Sequence, residues 1–167
     1  LDNAYKISEI EKELGITSIY FIRHHANYNP SSMRNKCLLR KIEENGHEIG
    51  IHYEYLFNET HEESYSRINK EISFLENIIG HEMYGGSPHQ TARHTSFSNN
   101  FDFNRLNLKI NFHYSFFLDK FKYISDANSI WREGCPCSFA NSDFNIYANT
   151  HPFFWDSKTK LGYSKYL

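Results

Sequence analysis

The sequence has few of the features that mark secreted, membrane or nucleic-acid-binding proteins. It contains 3 cysteines in 167 residues, an odd number without a framework spacing, which predicts free thiols, those of Cys135 and Cys137 included, and a reducing compartment. No run approaches the roughly 20 apolar residues of a membrane helix, and no signal peptide is visible. The net charge is −2, with Lys and Arg dispersed, which gives no basic surface for nucleic acid. We therefore expect a cytoplasmic protein with no nucleic-acid partner and no transmembrane segment.

Several common catalytic motifs are also missing from the sequence. There is no G-x-S-x-G nucleophile elbow, no G-x-G-x-x-G turn and no Walker A loop. The sequence is rich instead in aromatic residues, with 14 Phe and 12 Tyr, and it has 10 His. The aromatic residues suit a packed core and a cleft that faces a sugar. We expect only a small minority of the histidines to bind a metal.

The hydrophobic pattern predicts strands and helices in alternation. Apolar residues at helical spacing predict three helices, and β-rich or alternating segments predict strands between and after them. This alternation favours an α/β fold with parallel strands, and the length favours a single domain over residues 1–167. The predicted helices are 4–14, 32–44 and 62–79, with a short one near 101–106, and the predicted strands are 16–23, 46–54, 83–85, 112–118, 122–125 and 144–149.

Polar residues with catalytic chemistry follow most of the predicted strands. In α/β folds with parallel strands the active site lies at the carboxyl ends of the strands. The sequence therefore predicts a site built from these strand ends. The residues at these positions are His24, His25, His52, Glu54, His89, Asp126 and His151.

The segment 46–54, GHEIGIHYE, contains the first candidate metal ligands. Its apolar residues alternate with polar ones, so His52 and Glu54 point to the same face of a strand. An imidazole and a carboxylate can bind zinc, and the alternative is an ordinary polar strand end. His89 follows a Gly-Gly-Ser-Pro turn that presents its side chain to a ligand or a substrate. His24 and His25 cannot both point one way from an extended chain, so either one reaches the site or both are exposed.

His151 and Asp126 are the candidate acid–base residues. His151 precedes a proline that fixes the direction of the backbone, and an imidazole can act as general acid or base near neutral pH. Asp126 can orient this imidazole, as the carboxylate of a catalytic triad does, or it can cap the following turn. Trp131 and Trp155 can line a sugar-binding cleft or pack against the core.

Taken in order, the motifs resemble the polysaccharide deacetylase superfamily, also called the NodB-homology or carbohydrate esterase type. The match is closer to its WbmS-like branch, found among bacterial surface-polysaccharide biosynthesis genes, and it covers nearly the whole chain. The resemblance implies a distorted, incomplete (β/α) barrel of TIM-like type. The motifs that support it are ISEIEKELGITSIYFIR at 7–23, GHEIGIHYE at 46–54, SPH at 87–89, YISDANSIW at 123–131 and NTHPFFW at 149–155.

The resemblance also implies a chemistry. In this family an Asp and two His hold a divalent metal, and a late His protonates the leaving group. The metal that we expect is zinc, with cobalt or nickel as alternatives. By position, His52 matches the first metal His and His151 the late acid, which Asp126 supports. The implied partner is a carbohydrate, and the implied activity is hydrolytic removal of acetyl groups from a sugar or polysaccharide precursor. The residues that we assign to substrate binding are His24, Trp131, Arg132 and Trp155.

The chain departs from the family pattern at three places. Leu56 occupies the position of the usual second metal His, so we expect Glu54 or His89 to replace it. Residues 86–89 stand where the family has an Arg-Pro motif. The Asp-bearing first strand of the family would precede Leu1, and we expect the chain to lack it. Two alternatives therefore stay open: a degenerate member that binds glycan without catalysis, and a hydrolase of another C–N bond, such as a formamide or a cyclic amide.

Overall fold

The computed structural model describes residues 1–56, 58–89, 101–112, 120–139, 141–143 and 145–155. The chain divides into two compact units, Leu1–His113 and Tyr114–Leu167. It is an α/β protein in which a four-stranded parallel sheet alternates with helices. Within the described residues, none of the helices combines the length and the apolarity needed to cross a bilayer.

The first unit contains the four-stranded sheet. Its strands are parallel and lie in the order β1-β2-β3-β4. Because β2 is paired on both sides, residues at its carboxyl end lie beside those of β1 and β3. The elements are α1 (Asp2–Glu13), β1 (Ile19–Ile22), α2 (Met33–Glu44), β2 (Glu48–Tyr53), α3 (His61–Ile79), β3 (Gly85–Pro88) and β4 (Ile110–Asn111).

Local capping explains where α2 and α3 begin and where α3 ends. The Ser32 side chain caps α2 by accepting a hydrogen bond from Asn35. Thr60 and Glu63 form a capping box at the start of α3, an arrangement that satisfies two otherwise unpaired backbone donors. Gly80 ends α3 in the left-handed conformation, with φ of 92°, which glycine adopts without a side-chain clash. The three predicted helices are confirmed, with starts that differ by one or two residues.

The strands are shorter or displaced relative to the predictions. The predicted strand 16–23 begins only at Ile19, because the amide of Ile16 donates to Glu11 at the end of α1. The predicted strand 83–85 is instead β3 at Gly85–Pro88. β4 was not predicted, since it has only two residues in a polar segment. The predicted strand 112–118 cannot be compared, because residues 113–118 lie outside the described residues. The predicted helix near 101–106 is a 3-10 turn at Phe103–Arg105.

The apolar face of β2 lies in the hydrophobic core. Ile49, Ile51 and Tyr53 are buried, whereas His52 is partly exposed, so the predicted alternation is confirmed. The helices contribute a buried stripe against this face, which includes Ile42, Ile68 and Ile72. The opposite face of the strand is thereby left to carry polar residues at its carboxyl end.

His47, just before β2, is a structural histidine. It is buried, and its Nδ1 accepts a hydrogen bond from the amide of Ser18 at 3.2 Å. Its Nε2 lies 2.9 Å from the carbonyl oxygen of Ser8 in α1. Since a carbonyl only accepts, Nε2 carries the hydrogen and the ring is neutral. His47 therefore ties α1 and the start of β1 to β2, and its ring nitrogens are used by the fold.

Gly50 allows β2 to approach its neighbours closely. A Cβ at this position would lie 2.8 Å from the backbone oxygen of Gly85 and 2.9 Å from the ring of Phe21. Such contacts force β2 away from β1 and β3, and overpacking of this kind costs about 1–3 kcal/mol. We expect Gly50→Ala to lower the free energy of unfolding by this amount in urea denaturation. Glu48→Ala, at the exposed start of the same strand, is the control, and equal stability of both variants would contradict the prediction.

The second unit contains a parallel strand pair, β5 (Phe121–Ser125) and β6 (Asn145–Asn149). Both strands were predicted within one residue, although Phe144 lies outside the described residues. Cys135 and Cys137 form a disulfide with a Cα–Cα distance of 5.3 Å, within the usual range for such a bond. The prediction of free thiols is therefore wrong for these two residues, because the 3-10 helix that begins at Pro136 keeps their Cα atoms close together. Cys37 is free and exposed, and the cysteine pattern no longer favours a reducing compartment.

Candidate functional site

A cluster of polar residues lies at the carboxyl ends of the first three strands. Arg23 directly follows β1, Glu54 follows β2 and His89 follows β3, while His52 is the penultimate residue of β2. We call these four residues the strand-end cluster. Parallel pairing of β1, β2 and β3 places the three strand ends at one edge of the sheet.

Glu54 is the anionic centre of the strand-end cluster. Its Oε1 lies 2.6 Å from Nδ1 of His89 and 2.5 Å from Nη2 of Arg23. A carboxylate oxygen can accept from both donors at once, so Arg23 balances the charge of Glu54 while Glu54 orients the imidazole of His89. The amide of His89 also donates to the carbonyl oxygen of Tyr53 at 2.7 Å. Glu54 is thus positioned as the partner of a histidine.

The tautomer of His52 follows from its hydrogen bond. Its Nδ1 lies 2.9 Å from the carbonyl oxygen of Ser87 on β3. Because that oxygen only accepts, Nδ1 carries the hydrogen and Nε2 of the neutral ring carries a lone pair. The rings of His52 and His89 meet edge to face, with centroids 4.9 Å apart. Histidines that bind metals usually donate their other nitrogen to a carbonyl or a carboxylate in this way, so the donor chemistry of both rings fits a metal such as zinc.

A second group of donor atoms lies beside the first strand. Among the described residues, one group of three His, Cys, Asp or Glu side chains has donor atoms that all lie within 4.8 Å of one another. It consists of His24, His25 and Glu71. We call it the paired-histidine cluster. Residues 24 and 25 form a turn, so both rings converge, contrary to the expectation for an extended chain. Burial, and next the neighbouring His25, lower the pKa of His24, which favours its neutral form.

Glu71 was not predicted as a site residue. It lies on α3, and its carboxylate is almost completely buried. In the sequence it sits within the apolar stripe of that helix, next to Ile72, where a charged residue is rarely fully buried without a partner. That position was the available signal. Arg67 lies only four residues earlier, but His24 and His25 are distant in the sequence, and their approach to Glu71 could not be inferred from it.

Arg67 connects the two clusters of the first unit. Its Nη1 donates to Glu71 Oε1 at 2.8 Å, one turn along α3. Its Nε donates to Glu59 at 2.8 Å, and its Nη2 donates to the backbone oxygen of Glu54 at 2.7 Å. This hydrogen bonding lowers the pKa of the Glu59 carboxyl. Arg67 therefore fixes the chain that leaves β2 and holds Glu71 in place.

In the second unit, Asp126 is paired with His151. Asp126 is fully buried, and its Oδ1 lies 2.6 Å from Nδ1 of His151. The carboxylate also accepts from the amide of His151 at 3.0 Å and from the indole nitrogen of Trp155 at 2.8 Å. Its side chain makes no capping hydrogen bond to the following turn. These contacts fix the Nδ1 edge of the imidazole. The other ring nitrogen is Nε2, and the His151 side chain is 43% exposed.

The other predicted substrate-binding residues of this unit lie at its surface. The rings of Trp131 and Trp155 are 6.4 Å apart, edge to face, and Trp155 is 46% exposed. Arg132 is exposed as well. In the first unit, Leu56 is exposed and supplies no metal ligand.

The fold and these sites define an α/β protein with histidine–carboxylate groups at its strand ends. No model of a known protein family matches the chain, and no curated protein matches it either. Its function must therefore be inferred from the geometry of its sites and from the motifs in its sequence.

Proposed function

We propose that the protein is a metal-dependent hydrolase that removes acetyl groups from a sugar or polysaccharide precursor. We further propose that it has the distorted, incomplete (β/α) barrel of the polysaccharide deacetylase superfamily. The parallel sheet that alternates with helices supports this fold, and the strand-end position of the candidate residues supports the site. The ordered motifs supply the substrate class.

Asp126 and His151 carry this proposal. Deacetylation of an amide releases an amine, which is a poor leaving group unless it is protonated. Nδ1 of His151 donates a hydrogen bond to the buried Asp126 carboxylate, 2.6 Å away, so the proton that the ring can transfer lies on Nε2. We assign His151 as the general acid and Asp126 as the residue that positions it.

His52 and His89 are the proposed metal ligands in the first unit. Each ring has its Nδ1 hydrogen-bonded, to Ser87 and to Glu54 respectively, which is the outer-partner contact that metal-binding histidines usually make. Glu54 then acts as the outer partner of His89. A divalent metal held there would polarise an acyl carbonyl and lower the pKa of water.

Product analysis tests the proposed activity. The protein, loaded with zinc, cobalt or nickel, is incubated with a panel of N-acetyl, O-acetyl and N-formyl sugars, and released acetate and formate are measured. We expect acetate release that is lost in His52→Ala and kept in His81→Ala. His81 is an exposed histidine paired with Glu43, outside both clusters, and serves as the matched control.

The other outcomes of this assay separate the alternatives. Release of formate alone would identify hydrolysis of a different C–N bond. Binding of sugars without any released acid, with every metal, would identify a non-catalytic glycan-binding protein. Full acetate release by His52→Ala would contradict the assignment of this histidine.

A further inference from the structure

The paired-histidine cluster is separate from the proposed metal ligands His52 and His89. Nδ1 of His24 and Nε2 of His25 are 3.2 Å apart. Oε1 of Glu71 lies 3.2 Å from that His25 nitrogen and 4.0 Å from that His24 nitrogen. Three atoms of metal-binding type therefore lie close together, two from the turn after β1 and one from α3.

We propose that His24, His25 and Glu71 form a second metal site, which takes a borderline divalent cation of the zinc class. Zinc binds imidazole nitrogen and carboxylate oxygen at about 2.0–2.1 Å in tetrahedral geometry, which sets the ligand atoms roughly 3.3 Å apart. Two of the three observed separations already match this value. Only the separation between His24 and Glu71 has to shorten.

The charges around the site also favour a cation. Arg67 donates to Glu71, but its guanidinium is also paired with Glu59. Two carboxylates and one guanidinium leave one net negative charge beside the histidines. A carboxylate oxygen has two lone pairs, so Glu71 can keep its hydrogen bond to Arg67 and bind a metal. Arg67 then acts as the outer partner that orients this ligand.

Burial differs across the cluster in the way that an open metal site requires. The Glu71 side chain is 7% exposed, whereas that of His25 is 58% exposed. The carboxylate is thus held rigidly inside, and the histidine edge faces solvent. With three protein ligands, a tetrahedral ion keeps a fourth position for water or for a ligand group, as in zinc sites of the two-His, one-Glu type.

Metal titration of variants tests this proposal without an activity assay. The protein is stripped with a chelator, then titrated with zinc alone and with cobalt(II) alone, and bound metal and the cobalt absorption bands are measured. We expect His25→Ala to weaken one site by at least about 100-fold, more than the roughly 10–100-fold cost of losing an outer partner. Glu71→Gln should weaken the same site, and His81→Ala should leave all binding unchanged. Because His25 is exposed and lies in a turn, its replacement should preserve the fold, which circular dichroism checks.

The His52→Ala variant makes the two metal sites distinguishable. If the paired-histidine cluster binds metal, His25→Ala loses one equivalent of bound metal, and His52→Ala retains that equivalent. If His25→Ala keeps every equivalent of the wild type, or if the wild type binds neither metal, the proposal is overturned. Loss of all metal in His52→Ala, together with full binding by His25→Ala, would overturn it while supporting the strand-end ligands. Zinc-induced shifts of the His24 and His25 imidazole signals in NMR spectra provide a second readout.

Discussion

Asp126→Asn is expected to lower the turnover rate by about 10²–10⁴-fold, the range for losing a correctly oriented acid–base imidazole. The wild-type carboxylate receives only donors: the amide and Nδ1 of His151 and the indole of Trp155. An amide at this position turns one acceptor into a donor, and the new N–H group faces either the indole N–H of Trp155, which it repels, or Nδ1 of His151. If the amide nitrogen faces the ring, Nδ1 must accept and the proton moves to Nε2, which is the wrong tautomer.

The tautomer provides a test that is independent of activity. Nitrogen NMR of the His151 imidazole should report a protonated Nδ1 in the wild type and a protonated Nε2 in neutral Asp126→Asn. The proposal also requires that kcat falls more than KM rises, because Asp126 acts through His151. His151→Gln should lose activity to a similar extent. Near-full activity of either variant on an acetylated sugar would contradict the assigned roles of Asp126 and His151.

The protein is expected to lose about 3–5 kcal/mol of stability when Arg67 is replaced by Met, the usual cost of breaking a buried ion pair from one side. The change leaves Glu71, whose side chain is 7% exposed, without its cationic partner. It also removes the hydrogen bond from Arg67 to the backbone of Glu54. Arg67→Lys should recover only part of the loss, because an ammonium cannot reproduce the fork that contacts three groups. Urea denaturation measures each difference.

The cost of Arg67→Met should also depend on pH. Hydrogen bonding to Arg67 lowers the pKa of Glu59 from its usual value of 4.5. A carboxyl with a lowered pKa stabilises the folded state above its unfolded pKa and loses that contribution as pH falls through the folded value. The difference between variant and wild type should therefore shrink below about pH 4.5. Lys70→Met, at an exposed position of α3, is the control, and a loss as large as that of Arg67→Met would contradict the assigned role.

Local patterns predicted the elements that depend on neighbouring residues. The spacing of apolar residues located the three long helices, and a serine, a threonine–glutamate pair and a glycine set their ends. Alternation in 46–54 assigned His52 and Tyr53 to opposite faces of β2. These features depend on residues a few positions apart, where backbone geometry alone decides which side chains meet.

The short strands were harder to predict because pairing, not propensity, defines them. β4 consists of Ile110–Asn111 and exists through its hydrogen bonds to β3. β3 contains two glycines and a proline, residues of low strand propensity, yet Gly85 and Gly86 suit it because Cβ atoms there would contact neighbouring side chains and backbone. The disulfide between Cys135 and Cys137 was missed because an odd number of cysteines without a framework spacing indicates free thiols.

The sequence by itself determined the α/β class, the caps of the helices and the placement of histidines and acids after strands. Only the tertiary structure decided which of these residues meet. Glu54 pairs with His89 and Arg23, Glu71 joins His24 and His25, and Asp126 holds His151. The physical reason is that helix and strand patterns record contacts between near neighbours, whereas each of these pairs joins different strands, turns or helices. Their distances are fixed by sheet register and helix packing, which no local pattern in the sequence specifies.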